Sequence, residues 1–179
     1  MFRTAYYSIN GCAFSLSDIL HGVLRGNQAK PWFHEPRFRE NDPRLEFVVK
    51  NPDPRIHFTL SWHLKDSPVV RLITPDNLDA QFKRAAEDYL QERVLVHTQR
   101  KEVVLPRVFQ EFSVDFGSGN QEDTLRWMLE YLSDVMRLDL ESLLSQNWTV
   151  LYRHEDEPSP KPFLSDELNR LTASASFDS

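Results

Sequence analysis

The sequence predicts an α+β fold, with a small mixed or antiparallel sheet packed by two long amphipathic helices. Apolar residues recur at helical spacing in two stretches, 78–92 and 122–136. Short β-branched and aromatic runs, separated by turn residues, predict the strands. A further stretch, 27–54, is rich in proline and lacks a regular apolar period, so we expect a long ordered Pro-rich loop there.

The chain opens with a predicted hairpin followed by a short helix. Residues 4–9 are β-branched and aromatic, and Asn10-Gly11 is a strong signal for a two-residue turn. Residues 12–14 are therefore predicted as the returning strand. Apolar residues then fall at helical spacing over 18–25, after serines that can cap a helix.

The middle of the chain is predicted as a surface loop followed by two strands. Three aromatic residues are too apolar for a free linker and are expected to pin the loop 27–54 onto the core: Trp32, Phe33 and Phe38. Residues 55–61 alternate polar and apolar side chains, which predicts a half-buried strand near the centre of the sheet. Residues 69–73 predict a second strand.

In the C-terminal half, the sequence predicts two long helices, a hairpin and a last strand. A helix over 78–92 has its apolar residues on one face, and a second hairpin is predicted over 94–105. The second long helix is predicted over 122–136, with helical continuation over 139–146 and a last strand over 148–152. One or two helical turns are expected over 106–112, and Asp115-Phe116-Gly117 is interpreted as the stop that follows them.

Length and composition predict one domain with a tail. The chain has 179 residues, of which 40% are hydrophobic, enough for a single sizeable core. We expect that domain to span 1–152. Residues 153–179 are acidic and rich in proline and serine, so we expect a largely disordered tail.

Net charge and cysteine content limit the kinds of partner and the cellular compartments that are expected for this chain. A formal net charge of −6 disfavours general attraction to nucleic acid or to an anionic membrane surface. The single cysteine, Cys12, excludes an internal disulfide framework and fits a reducing compartment. No apolar run approaches the length of a membrane span, so the expected location is cytoplasmic.

His57 is the candidate catalytic residue, because a strand would place it beside Arg55 on the polar face. A histidine so placed can serve as general acid or base. The alternative is a histidine that is simply hydrogen-bonded inside the fold. No carboxylate or cysteine accompanies the histidines at a recognised metal spacing, so neither a metal nor another cofactor is expected.

His21 and Arg25 are candidate ligand-binding residues together with Arg55. They lie four residues apart on the predicted helix and hence on one face, where they can hold an anion or a carboxylate. The alternative is that both side chains stabilise the negative end of the helix dipole.

Four blocks of sequence carry a family resemblance: Tyr7-Ser8-Ile9-Asn10-Gly11, Phe14-Ser15-Leu16-Ser17-Asp18-Ile19-Leu20-His21-Gly22-Val23-Leu24-Arg25-Gly26-Asn27, Asp53-Pro54-Arg55-Ile56-His57-Phe58-Thr59-Leu60, and Leu105-Pro106-Arg107-Val108-Phe109 with Asp115-Phe116-Gly117. In order and spacing they resemble the family called domain of unknown function 547, over about residues 6–152. The resemblance implies an intracellular module in eukaryotes, often fused to other domains. Plant members joined to a leucine zipper look like binders of transcription factors.

Two departures from the family pattern affect what the resemblance implies. Where the family has a pair of cysteines, this chain has Trp62 and Ser67, so thiol chemistry at that pair is not expected here. The family's aromatic and Asn-rich segment ahead of the tyrosine-rich strand is also missing. We therefore expect a fragment or a shortened variant, whose open groove would expose an apolar patch.

The sequence thus predicts a protein-interaction module with a protein partner. One alternative is a hydrolase or transferase in which His57 is the general acid or base, with Arg55, His21 or Arg25 holding an anionic group. The other is a degenerate enzyme that only binds a small ligand.

Overall fold

A computed structural model describes residues 6–29, 35–61 and 67–153 and confirms the predicted α+β class. The strands are β1 Tyr6–Ile9, β2 Cys12–Ser15, β3 Leu95–His97, β4 Glu102–Leu105 and β5 Thr149–Tyr152. The α-helices are α1 Leu78–Arg93, α2 Val108–Glu111, α3 Gln121–Met128 and α4 Asp134–Leu144. Shorter helices are a π-helix, Asp18–Leu24, and 3-10 helices at Pro43–Phe47, Pro54–Phe58, Ser113–Phe116 and Leu129–Tyr131.

The described strands form two small sheets. β1 and β2 make the predicted hairpin, and both turn residues, Asn10 and Gly11, have positive φ (48° and 80°), as a type I′ turn requires. The second sheet has the order β3-β4-β5, with β4 antiparallel to β3 and parallel to β5. The predicted second hairpin and the predicted last strand are therefore confirmed, and the sheet is mixed.

The loop after the first helix is pinned as predicted, at Phe38. That side chain is 1% exposed and lies against Gly22 of the π-helix, where an added Cβ would come within 2.2 Å of the ring. The loop is not wholly irregular, because it contains the 3-10 helix Pro43–Phe47. Trp32 and Phe33 lie outside the described residues.

The prediction of a central strand over 55–61 is wrong. Residues Pro54–Phe58 form a 3-10 helix, because the Asp53 carboxylate caps the Arg55 amide at 2.9 Å and Pro54 occupies the first helical position. His57 is consequently buried together with both of its neighbours, Ile56 and Phe58, instead of facing away from them. The expected polar face of a strand does not exist here.

The predicted strand over 69–73 is also wrong, although no helix, turn or bend interrupts the chain there. No described residue pairs with it as a strand.

The second long helix ends earlier than predicted. α3 stops at Met128, a 3-10 turn follows, and Leu132 and Ser133 are extended before α4 begins. Leu132 has ψ 151° and Ser133 has ψ 158°, so these two residues interrupt the helix before α4 begins at Asp134. α1, by contrast, matches its predicted bounds to within a residue, and the predicted helix over 139–146 lies largely within α4.

The core is aromatic and surrounds Phe58. Four rings have centroids within 5.0 to 6.1 Å of the Phe58 ring: Tyr89, Phe109, Phe116 and Trp127. α1 packs against the 3-10 helix Pro54–Phe58, and the inner face of β4 is buried at Val103 and Leu105. The core therefore fixes the helix that carries His57.

Three sequence predictions concern the chain as a whole: the disordered tail, the domain boundary and the absence of a membrane span. Residues 154–179 lie outside the described part of the chain, so the disordered tail and the 1–152 domain boundary stay predictions. In the described ranges, no helix combines the length and the apolar character needed to cross a bilayer.

Candidate functional site

Two of the four sequence-predicted site residues, Arg25 and His57, meet at one carboxylate, that of Asp115, and a third, His21, contacts Arg25. Arg25 donates two hydrogen bonds to the carboxylate, from Nε to Oδ2 at 2.6 Å and from Nη2 to Oδ1 at 2.8 Å. His57 Nε2 lies 2.7 Å from Oδ2 of the same carboxylate. His21 joins through its Nδ1, which is 3.2 Å from Arg25 Nη1. We call His21, Arg25, His57 and Asp115 the Asp115 cluster.

Each member of the Asp115 cluster is placed by a short helix. Arg25 caps the C-terminal end of the π-helix, and His21 lies four residues earlier on the same face. His57 sits in the 3-10 helix begun by Asp53 and Pro54. Arg25 and His57 are 90 and 58 residues from Asp115, so the cluster ties distant parts of the chain together.

Asp115 was missed as a site residue because its motif was interpreted only as a helix stop. The motif does end the helical region, because Gly117 has φ 134°, a conformation that favours glycine. A Cβ at this position would come within 2.7 Å of the Thr124 amide nitrogen. The signal that could have found it is a carboxylate set among Phe112 and Phe116 in an apolar stretch, because such a group needs a buried cationic partner.

Aromatic rings wall the cluster. Phe112 stacks on the His57 ring at 4.3 Å between centroids, and the Arg25 guanidinium carbon lies 4.9 Å from the centroid of the same Phe112 ring. Phe116 lies 5.3 Å from His57 on a tilted plane. The polar groups are therefore enclosed in low-dielectric surroundings, where their mutual hydrogen bonds are strong.

Burial and hydrogen bonding set the charge states. Burial alone would raise the pKa of Asp115, but hydrogen bonds from Arg25 and His57 outweigh it, so the pKa is lowered and the carboxylate is ionised. Burial lowers the pKa of His57 against the opposing pull of Asp115. An ionised carboxylate only accepts, so a neutral His57 donates its Nε2–H to Asp115.

Three of the four side chains in the cluster are largely buried, whereas that of His21 is half-buried. The side chains of His57, Arg25 and Asp115 are 0%, 1% and 8% exposed. A general acid or base must come within hydrogen-bond reach of its substrate, and the His57 imidazole is instead bonded to Asp115. The arrangement works chemically as a buried ion pair that orients an imidazole. In the ranges that the structure describes, no group of three or more histidine, cysteine or acidic side chains is placed to hold a metal ion.

Arg55, the fourth predicted site residue, is not part of the cluster. Its guanidinium Nη2 is held 2.7 Å from Asp53 and 2.7 Å from Asp79 at the start of α1. The hydrogen bond to Asp53 keeps the pKa of Arg55 above its ordinary value. Arg55 therefore joins the 3-10 helix to α1.

A second polar cleft lies between the hairpin and the loop, with a volume of about 1010 Å³. Its arginines include Arg37, Arg39 and Arg44. Arg37 and Arg44 are already paired, with Asp18 and Asp42 at 2.5 and 2.7 Å. Glu40 also lines the cleft, so together with Asp18 and Asp42 three carboxylates balance the three guanidinium groups. The described residues therefore give the cleft no excess positive charge to attract an anion.

The lowered pKa of His57 predicts a pH-dependent stability. Below the ordinary pKa of about 6.5, an unfolded chain takes up a proton at His57 that the folded chain does not. The free energy of unfolding should therefore fall as the pH drops from 7.5 towards 5.5, by at most about 1.4 kcal/mol per pH unit from this residue. Urea unfolding at several pH values measures it.

The matched comparison is His57→Gln against His97→Gln. The first variant should lose part of the wild-type pH dependence, whereas the second, at the end of β3, should retain it. Equal pH dependence in wild type and His57→Gln would show that His57 titrates normally in the folded protein.

Comparison with known proteins gives one match. A family model described as "Protein of unknown function, DUF547" matches residues 1–90. No curated protein and no solved structure matches the chain. The matched range contains His21, Arg25 and His57, and Asp115 lies beyond it. The cluster thus joins the matched half of the chain to the rest.

Proposed function

Because this chain belongs to the DUF547 family, whose description assigns no activity, we propose from its geometry that the domain is a protein-binding module. The resemblance seen in the sequence is confirmed by that match. The proposal rests on one observation, an apolar surface segment that is both exposed and held in place.

The segment is residues 69–73, Val69 to Ile73, which we call the exposed segment. Val69, Val70 and Leu72 are 66%, 79% and 88% exposed, the three being consecutive or alternate along the chain. Clustered apolar surface is costly in water and is typical of sites that bind other proteins. Single exposed apolar residues would need no such explanation.

The exposed segment is fixed to α1 at three points. Pro68, just before it, is buried. Arg71 Nη2 donates to Asp88 Oδ2 at 2.6 Å. Gln81 then holds Thr74 by three hydrogen bonds of 3.0 to 3.2 Å. A segment that is already ordered loses little entropy when a partner binds, which favours binding.

The enzymatic alternatives gain no comparable support. A hydrolase or transferase using His57 needs that imidazole to reach a substrate, yet the residue is 1% exposed and its Nε2 is bonded to Asp115. A degenerate enzyme that binds a small ligand through Arg25 and His21 needs an opening to the same cluster. Arg55, which is committed to Asp53 and Asp79, lies apart from both.

The test is affinity capture from a cell extract with two matched double variants. Val70→Asp/Leu72→Asp places charges on the exposed segment. Val135→Asp/Leu138→Asp makes the same changes on α4, where those side chains are 70% and 64% exposed. All proteins are first shown to unfold cooperatively near the wild-type temperature, which surface changes of this kind permit.

We expect wild type and the α4 variant to retain the same stoichiometric partner, and the exposed-segment variant to lose it. A partner retained by the exposed-segment variant, or lost only by the α4 variant, would overturn the assignment. Absence of any partner in wild type would turn the question to small ligands.

A further inference from the structure

We infer that the exposed segment binds its partner by strand addition, in which an extended segment of another protein pairs with the backbone of residues 69–73. This inference rests on the proposed function and adds the mode of binding and the chemistry of the partner. It starts from the backbone of the segment, not from its side chains.

The backbone of the exposed segment takes part in no backbone–backbone hydrogen bond within the described residues. From Val70 onward its exposure nevertheless alternates as in a strand: Val70 and Leu72 are exposed, whereas Arg71 and Ile73 are half-buried. Val69, at the start of the segment, is exposed as well. The composition, with β-branched Val69, Val70 and Ile73, suits a strand. The segment thus has the composition of a strand and, from Val70 onward, its exposure pattern, but no ladder.

The ends of the segment limit how long the added ladder can be. Pro68 and Pro75 flank it, and proline has no backbone donor for a ladder. The site therefore accommodates about five residues of a partner, the usual length of a short strand.

The area of the patch favours a peptide segment over a second copy of this chain. Each of the three aliphatic side chains can bury less surface than the ~150–250 Å² of an aromatic residue. Their combined area is therefore well below the ~800 Å² that each partner buries in a stable interface. Strand addition needs less side-chain area, because main-chain hydrogen bonds supply much of the affinity.

Charge adds a preference for an acidic partner residue. Asp88 accepts from Arg71 at 2.6 Å and lies 3.9 Å from the mostly exposed Arg84, so one carboxylate faces two guanidinium groups. The matching partner is an extended segment with apolar residues at alternate positions, opposite Val70 and Leu72, and an acidic residue near Arg71 or Arg84.

Strand β1 is the competing edge. It exposes Tyr6, Tyr7 and Ile9 at 64%, 51% and 43%. Its backbone is already paired with β2 along one edge, whereas the exposed segment shares no ladder with any described strand. The segment therefore has more backbone capacity for a partner.

The test uses peptides selected against the folded full chain from a random phage-displayed dodecapeptide library. Bound peptide should slow amide hydrogen exchange within residues 69–73. Copies of the peptide are then made, each N-methylated at one position. The effect on affinity should alternate along the peptide: methylation at one position should weaken binding about tenfold, and methylation at the next should have little effect. That parity arises because only every second peptide amide faces the host strand.

Three results would overturn the inference. Peptides that bind without protecting residues 69–73 from exchange, and without the alternating effect of N-methylation, would exclude strand addition. The proposed protein binding would still be supported if capture of the partner depended on Val70 and Leu72. Protection confined to 6–9 would move the site to β1. Failure to select any peptide that binds wild type but not Val70→Asp/Leu72→Asp would also contradict it.

Discussion

Replacing Asp115 with alanine is expected to lower the free energy of unfolding by about 3–5 kcal/mol, because it leaves the Arg25 charge buried without its carboxylate. Arg25 is 1% exposed and receives no comparable hydration in the fold. His57 loses the acceptor of its Nε2–H in the same step. For a chain of this length the melting temperature should fall by roughly 6–20 °C.

Two variants separate the charge effect from ordinary truncation. Asp123→Ala removes an exposed carboxylate eight residues away, in the first turn of α3, and should change stability much less. Arg25→Met/Asp115→Leu removes both charges and should recover much of the loss, because an apolar pair often replaces a buried ion pair at little cost. Asp115→Ala as stable as Asp123→Ala would contradict the buried ion pair.

Phe58→Ala is expected to cost about 3–5 kcal/mol by leaving a cavity at the centre of the aromatic core. The side chain is 0% exposed, and its nearest ring, Tyr89 of α1, lies 5.0 Å away between centroids. Phe58 also lines a small pocket with Pro68 and Val69. Its loss should therefore loosen the exposed segment as well as the core.

Urea unfolding measures the stability change, and hydrogen exchange measures the loosening. Tyr6→Ala is the matched aromatic control, because that ring is 64% exposed and should contribute little to folding. If Phe58→Ala and Tyr6→Ala were equally stable, Phe58 could not lie at the centre of the core.

Elements with strong local signals were predictable from the sequence. Asn10-Gly11 sets the first hairpin, because few residues other than asparagine and glycine adopt positive φ at both turn positions. The apolar stripe over 78–92 predicts α1 because sixteen residues sample its period more than four times. The strands β3, β4 and β5 follow from short β-branched runs.

The stretch 55–61 shows why alternation alone misleads. Seven residues can alternate by chance, whereas Asp53-Pro54 is a specific helix start through its cap and its fixed φ. Given that start, Ile56, His57 and Phe58 are wound into one turn and buried together. The capping signal should have outweighed the period of two.

The candidate site was only partly predictable, for a different reason. His21 and Arg25 share a helix face, which spacing reveals. Their union with His57 at Asp115 depends on contacts across 58 and 90 residues, which no local pattern encodes. The break between α3 and α4 likewise depends on packing, since the apolar stripe continues through it.

One region of the fold contains both the buried Asp115 cluster and the surface that is proposed to bind. The Asp115 cluster holds the 3-10 helix Pro54–Phe58, and Phe58 of that helix lines a small pocket together with Val69 and Arg71 of the exposed segment. The cluster therefore supports the surface that is proposed to bind, without contacting the partner itself.

The most direct test of this separation is the dissociation constant of the captured partner, measured at pH 7.5 for folded wild type, His57→Gln and Val70→Asp/Leu72→Asp. His57→Gln should bind within about threefold of wild type, because glutamine can still donate to Asp115. The exposed-segment variant should bind at least about 100-fold more weakly, from the lost burial of two aliphatic side chains. A folded His57→Gln that loses the partner, or an exposed-segment variant that retains it, would contradict the account.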